Sequence, residues 1–145
     1  MDNNGNPAFT ASNDSIWWKR DGKTWSNIRS CAGGIAFGPK NTLYKLLCKR
    51  VNKGSKVLKW NARTKTWKRL SNTSAQRLTI DSTGRPWIVA GREVLRWDTP
   101  GWVNMGLQDV KEIKAGPDGS VYALAFPKKG EDFDSDLTIY KWNGG

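Results

Sequence analysis

Lys49, Arg50, Lys53 and Lys56 place four bases within eight residues, around Asn52 and Gly54. Such side chains on a short loop suit phosphate, sulfate or carboxylate groups, and arginine can hold two oxygens at once. A second set, Lys19, Arg20 and Lys23 followed by Arg63, Lys65, Lys68 and Arg69, offers the same chemistry. Residues 19 to 69 carry 15 Lys and Arg against the single acid Asp21, whereas residues 105 to 145 carry five bases and seven acids. The basic half is the candidate surface for something anionic, and it serves equally well as a solvated, solubilising face. Trp17 adds an aromatic beside a row of bases, where it can stack on a sugar ring or simply cover an outer strand.

Other chemistries are poorly supplied. The chain has no histidine, which removes imidazole bases and metal sites built on imidazole nitrogen. Its two cysteines show no Cys-x-x-Cys spacing, so neither zinc binding nor redox catalysis is expected. Asp132, Asp134 and Asp136 alternate as in a calcium loop, but the central Gly and closing Glu of an EF-hand are missing, and no metal is expected. No repeat places a nucleophile beside a base, so the sequence reads as a binding protein without a catalytic site or a cofactor.

The elements that must carry these residues are set by a repeat. Ser15-Ile16-Trp17-Trp18, Val57-Leu58-Lys59-Trp60, Val94-Leu95-Arg96-Trp97 and Ile139-Tyr140-Lys141-Trp142 recur at spacings of 42, 37 and 45. A second tryptophan follows each of the first three: Trp25, Trp67 and Trp102. In this alignment Trp18 shares the phase of Trp60, Trp97 and Trp142, and Trp17 stands where the others have a base. The phased tryptophans are expected to fill the gaps between units. Turns recur in step: Asp2-Asn3-Asn4-Gly5, Gly38-Pro39-Lys40-Asn41, Asp81-Ser82-Thr83-Gly84 and Gly116-Pro117-Asp118-Gly119. Each needs a positive φ at its last residue, which Gly or Asn supplies cheaply. Apolar residues alternate on both sides of each turn, the period of a strand. Each unit of about 40 residues therefore holds four short antiparallel strands, A to D, the pattern of a propeller blade.

The combination of strand, turn, Val121-Tyr122-Ala123-Leu124 and Ile139-Tyr140-Lys141-Trp142 resembles the tectonin, or tachylectin-type, β-propeller repeat, over essentially the whole chain. The expected fold is all-β, with blades over residues 1–30, 31–72, 73–107 and 108–145. The first blade lacks strand A and the last lacks strand D, giving fourteen strands. Neither end completes the other, so the chain reads as an arc of a larger propeller, six-bladed by the resemblance. The resemblance further implies carbohydrate or anionic glycan binding between blades.

If Phe37 stands opposite Thr42, the position numbers of strand partners add to 79, and Cys31 and Cys48 satisfy that condition. A disulfide there would mean an oxidising compartment, as the sequons Asn13-Asp14-Ser15 and Asn72-Thr73-Ser74 also suggest. An extracellular or secreted location is thereby favoured over a cytoplasmic one. The alternative is two reduced thiols in a cytosolic scaffold. No apolar segment follows Met1, and no run reaches the length of a membrane span. Three functions stay open: a lectin-like module, a protein-interaction scaffold that meets partner proteins or further blades, and a binder of nucleic acid or acidic membrane.

Overall fold

A computed structural model describes residues 1–11, 15–28, 30–48, 54–126 and 137–142. Its fourteen strands form four antiparallel sheets, each a simple meander. The first contains β1 (Ala8–Thr10), β2 (Ile16–Trp18) and β3 (Ser26–Ile28). The second contains β4 (Ala32–Gly38), β5 (Thr42–Leu47), β6 (Ser55–Asn61) and β7 (Thr66–Ala75). The third runs through β8 (Arg77–Ile80), β9 (Pro86–Ala90), β10 (Glu93–Asp98) and β11 (Gly101–Asn104). The fourth holds β12 (Val110–Ala115), β13 (Val121–Ala125) and β14 (Thr138–Trp142). No α-helix occurs among the described residues. This is the blade architecture of a β-propeller, with β4, β8 and β12 innermost and touching in series.

Alternation gives each sheet a front, toward the next sheet in the chain, and a back, toward the previous one. The front of the second sheet (Tyr44, Leu46, Val57) meets the back of the third (Ile80, Ile88) in one apolar cluster. The front of the third (Trp87, Val89, Val94) meets the back of the fourth (Ile113, Val121, Ala123) in another. No sheet here could hold a core alone, so the repeat is what makes burial possible.

The turns between the first two strands of a full blade all end on a residue of positive φ, although in that of the second sheet Lys40 is positive as well, at 56°. Gly5, Asn41, Gly84 and Gly119 all have positive φ, at 77°, 56°, 90° and 84°. They lie side by side: Asn3 donates its amide to Asn41 Oδ1 and its side chain to the Gly38 carbonyl, both at 2.8 Å. A Cβ on Gly38 would come 2.8 Å from Ile80 Cγ2 of the third sheet, so glycine permits the close approach.

Two registers differ from the sequence reading. Phe37 stands opposite Leu43, not Thr42. A bulge between Ala32 and Gly34 then shifts the ladder by one residue, so that Ala32 faces Leu47. Cys31 and Cys48 follow in line and are joined as a disulfide, with Cα atoms 5.3 Å apart. In the first sheet Ala8 pairs with Trp18, just as Trp87 pairs with Arg96, Tyr44 with Lys59 and Tyr122 with Lys141. Trp18, not Trp17, therefore occupies the row of bases. Lys19 holds the place of Trp60, Trp97 and Trp142. Trp17 aligns with Leu58, Leu95 and Tyr140 on the back of the sheet.

Candidate functional site

The aligned pairs build a repeated stack. Lys59 lies over the Tyr44 ring at 5.6 Å, Arg96 over Trp87 at 5.6 Å and Lys141 over Tyr122 at 5.5 Å. In each case the base on the third strand lies over the aromatic directly across from it. Such contacts are worth about 0.5–1 kcal/mol at exposed sites. In the first sheet the arrangement is inverted: Trp18 fills the space and Arg20, from the following turn, lies over it at 5.3 Å.

Whether a cleft opens beside the stack depends on what fills the gap to the next sheet. Between the first and second sheets Trp18 meets Phe37, with ring centroids 5.0 Å apart. Between the third and fourth, Trp87 meets Trp142 at 5.6 Å. Between the second and third, the smaller Tyr44 stands in place of Trp87, and Trp97 pairs with Trp102 of its own sheet at 5.1 Å. The space left is a cleft of about 800 Å³ lined by Tyr44, Lys59, Lys68, Arg85, Trp97 and Asp98, among others. It lies at the end of the sheets that carries the 61–66 turn of the second sheet and the 81–85 turn of the third.

The charges of this cleft are unequal across its two walls. On the third sheet Arg85 reaches Asp81 at 3.1 Å and Asp98 at 3.8 Å, and Arg96 grips Asp98 with three contacts of 2.6–3.2 Å. On the second sheet Lys59 and Lys68 are directly opposite one another across β6 and β7. Among the described residues neither enters an ion pair. Like charges at facing strand positions are destabilising, and a bound anion would remove that repulsion.

The residues singled out from the sequence are scattered by comparison. Lys49, Arg50 and Lys53 lie outside the described residues, as do Asp132, Asp134 and Asp136. Lys56 is engaged within its own sheet, donating to the Asn72 carbonyl and to Ser74 Oγ. It sits at the end of β6 remote from the cleft. Arg20 covers Trp18, and Trp17 is half-buried opposite Phe9 and Asn27. Arg63 is exposed on the turn at the cleft's rim, its amide held by Asn61 Oδ1 at 3.0 Å. Of the bases singled out from the sequence, Lys68 lines the cleft and Arg63 stands on the turn beside it. Lys59, Arg85 and Tyr44 were missed as ligand groups. The available signal was the aromatic that recurs three residues after each full turn, in step with the base before each tryptophan.

Of the phased tryptophans, Trp102 and Trp142 bridge sheets, the former donating to Ser71 Oγ at 2.7 Å. Trp60 and Trp67 instead pair across their own sheet, with ring centroids 5.0 Å apart. The second sheet also buries Lys45, whose ammonium donates to Ser30 Oγ and, at 2.9 Å, to the Cys31 carbonyl, with the Trp67 ring 4.5 Å away. Desolvation lowers its pKa to about 8.

No family model and no curated protein sequence matches the chain. Solved structures do. TolB from Acinetobacter baumannii superposes with a TM-score of 0.66 at 15% identity, over 90% of this chain and 35% of its own. YCF48 bound to D1 peptide gives 0.56 at 15%, over 84% and 44%. Virginiamycin B lyase from Staphylococcus aureus gives 0.57 at 14%, over 96% and 52%. The chain thus spans between a third and about half of these structures, and they share its β-propeller fold. The expectation that the chain has no catalytic role is corrected here: virginiamycin B lyase is an enzyme of the same fold, so the fold is one that also carries catalysis.

Proposed function

We propose that this chain is a lectin-like recognition module of tectonin type, which takes an acidic sugar in the cleft between its second and third blades. One observation carries the reading: Lys59 and Lys68 oppose one another with no acid partner among the described residues, beside Tyr44 and across from Trp97. The two ammonium groups would hold a carboxylate or sulfate, and the flanking aromatic faces would take the apolar side of a sugar ring. Arg85, already committed to Asp81 and Asp98, would orient rather than neutralise the ligand. The Cys31–Cys48 bridge and the basic character of the first half support an extracellular setting for such a ligand.

The test is calorimetric titration with a uronate or sulfated oligosaccharide and with its neutral counterpart. The acidic sugar should bind and the neutral one should bind at least about tenfold more weakly. Joint Lys59→Ala and Lys68→Ala should abolish the difference. Equal affinity for both sugars, or none for either, would refute the reading. YCF48 was solved with a peptide on the same fold, which supports a second reading in which the cleft takes an acidic peptide from a protein partner. Competition between such a peptide and the acidic sugar for one site separates the two.

A further inference from the structure

The same strand position can be compared in all four sheets. On the third strand of a full blade it is held by Ile16, Val57, Val94 and Ile139, each two residues before the row containing Trp18, Lys59, Arg96 and Lys141. All four face the front. Ile16, Val57 and Val94 are no more than 1% exposed, because a following sheet covers each of them, whereas Ile139 is 70% exposed. Beside it on the front of the fourth sheet lies Leu124, its direct partner across β13 and β14, at a shallow apolar groove of about 150 Å³.

The opposite end of the chain shows the complementary pattern. The back position next to the Ala8, Tyr44, Trp87 and Tyr122 row is held by Phe9, Lys45, Ile88 and Ala123. The last three are no more than 2% exposed, whereas Phe9 is 47% exposed and packs edge-on against the exposed Trp25 at 5.3 Å. In both apolar clusters inside the chain, the front position of one sheet and the back position of the next share a core: Val57 with Ile88, and Val94 with Ala123. The chain therefore shows twice what covers a face like that of Ile139, and it is a face like that of Phe9.

We propose that two copies of this chain associate head to tail, the front of the fourth sheet of each packing on the back of the first sheet of the other. The occupant is a second copy because the chain itself presents both halves of the interface, a front like those its own sheets cover and a back like those that cover them. A front-to-back contact is heterologous, and a pair that makes it twice closes on itself instead of growing. The exposed edges of β1 and β14 would be sheltered at the two seams.

Light scattering and sedimentation on the purified chain should give a particle of twice the 16.3 kDa chain mass. Ile139→Lys alone and Phe9→Glu alone should each weaken the dimer at least about tenfold while leaving the strand circular dichroism intact. An equimolar mixture of the two variants should recover the dimer. In that mixed pair one seam joins Lys to Glu and the other is unaltered. Recovery requires that the two residues lie on opposite sides of one interface, which no loss of folding can imitate. A monomer at every concentration, or a dimer indifferent to both substitutions, would overturn the proposal, the first outcome pointing to further blades of one polypeptide as the natural cover.

Discussion

Trp87 donates its indole N–H to Asp81 Oδ2 at 2.9 Å, tying the second strand of the third sheet to the turn that begins it. The same carboxylate takes the amides of Thr83 and Arg85 and the Thr83 hydroxyl, at 2.6–3.0 Å. In the first sheet Asp2 and Trp18 make the equivalent bond at 2.9 Å, although Trp18 comes from the neighbouring strand. One buried carboxylate thus fixes both the turn and the large ring that seals the gap to the next sheet. Asp81→Ala should leave these donors unsatisfied and cost about 1–3 kcal/mol for each one that stays buried, as read from urea denaturation.

Acid should act through the same groups. Burial by itself would raise the Asp81 carboxyl, but the bonds from Thr83 and Trp87, the Arg85 amide and the Arg85 charge outweigh it and hold it below its ordinary 3.8. Asp2 is lowered in the same way by Asn6, Trp18 and Asn4 acting against burial. A carboxyl with a depressed folded pKa stabilises above its unfolded pKa, and that stability is lost as pH falls through the folded value. Unfolding free energy should therefore decline below about pH 4, with a weaker decline in Asp81→Asn. An identical acid slope in the variant would remove Asp81 from the account.

Lys45 predicts the opposite end of the pH scale. Its ordinary pKa of 10.5 falls to about 8 on folding because burial disfavours the charge. Between those values the unfolded chain holds more protons than the folded one, so stability rises with pH across that window. Lys45→Met should abolish that rise, so that the melting temperature of the unaltered chain gains on that of the variant between pH 8 and 10.5. The position is a back-face site where the third sheet has Ile88, which is why an apolar residue is tolerated there.

The cleft predicts a trade between stability and binding. Replacing Lys68 by Glu turns a repulsive strand pair with Lys59 into an attractive one, and should stabilise the fold by about 0.2–1 kcal/mol. It should at the same time eliminate affinity for the acidic sugar. A variant that gained neither stability nor lost binding would show that the two lysines are simply solvated.

Removing the disulfide through a joint Cys31→Ser and Cys48→Ser change opens a loop with a sequence separation of 17. The expected loss is about 2–4 kcal/mol, measured by denaturation, and reductant should have the same effect on the unaltered chain.

Fold and site were unequally legible. The turns ending at Gly5, Asn41, Gly84 and Gly119 and the tryptophan spacing reveal the four sheets, because both are demanded by local geometry wherever a blade occurs. The adjacent Trp17 and Trp18 were misaligned by one position. Sequence cannot decide which of two like residues faces inward, and that choice is made by the pairing of Ala8 with Trp18 and the bond from the Lys19 amide to the Pro7 carbonyl at 3.0 Å. The cleft was invisible for a different reason. Tyr44 and Trp87 are equivalent in the repeat, as are Trp97 and Trp142, but Trp142 packs on Trp87 whereas Trp97 turns to Trp102 of its own sheet, and that difference determines which gap is filled.

The central claim is that an anionic ligand sits between the second and third sheets, and its most direct measurement is heteronuclear NMR during titration with the acidic oligosaccharide. The account predicts shifts at Tyr44, Lys59, Lys68 and the Trp97 indole, with Trp17 and Trp25 unmoved. Shifts confined to the opposite end of the sheets, around Lys56, or spread over the basic surface without saturation, would contradict it.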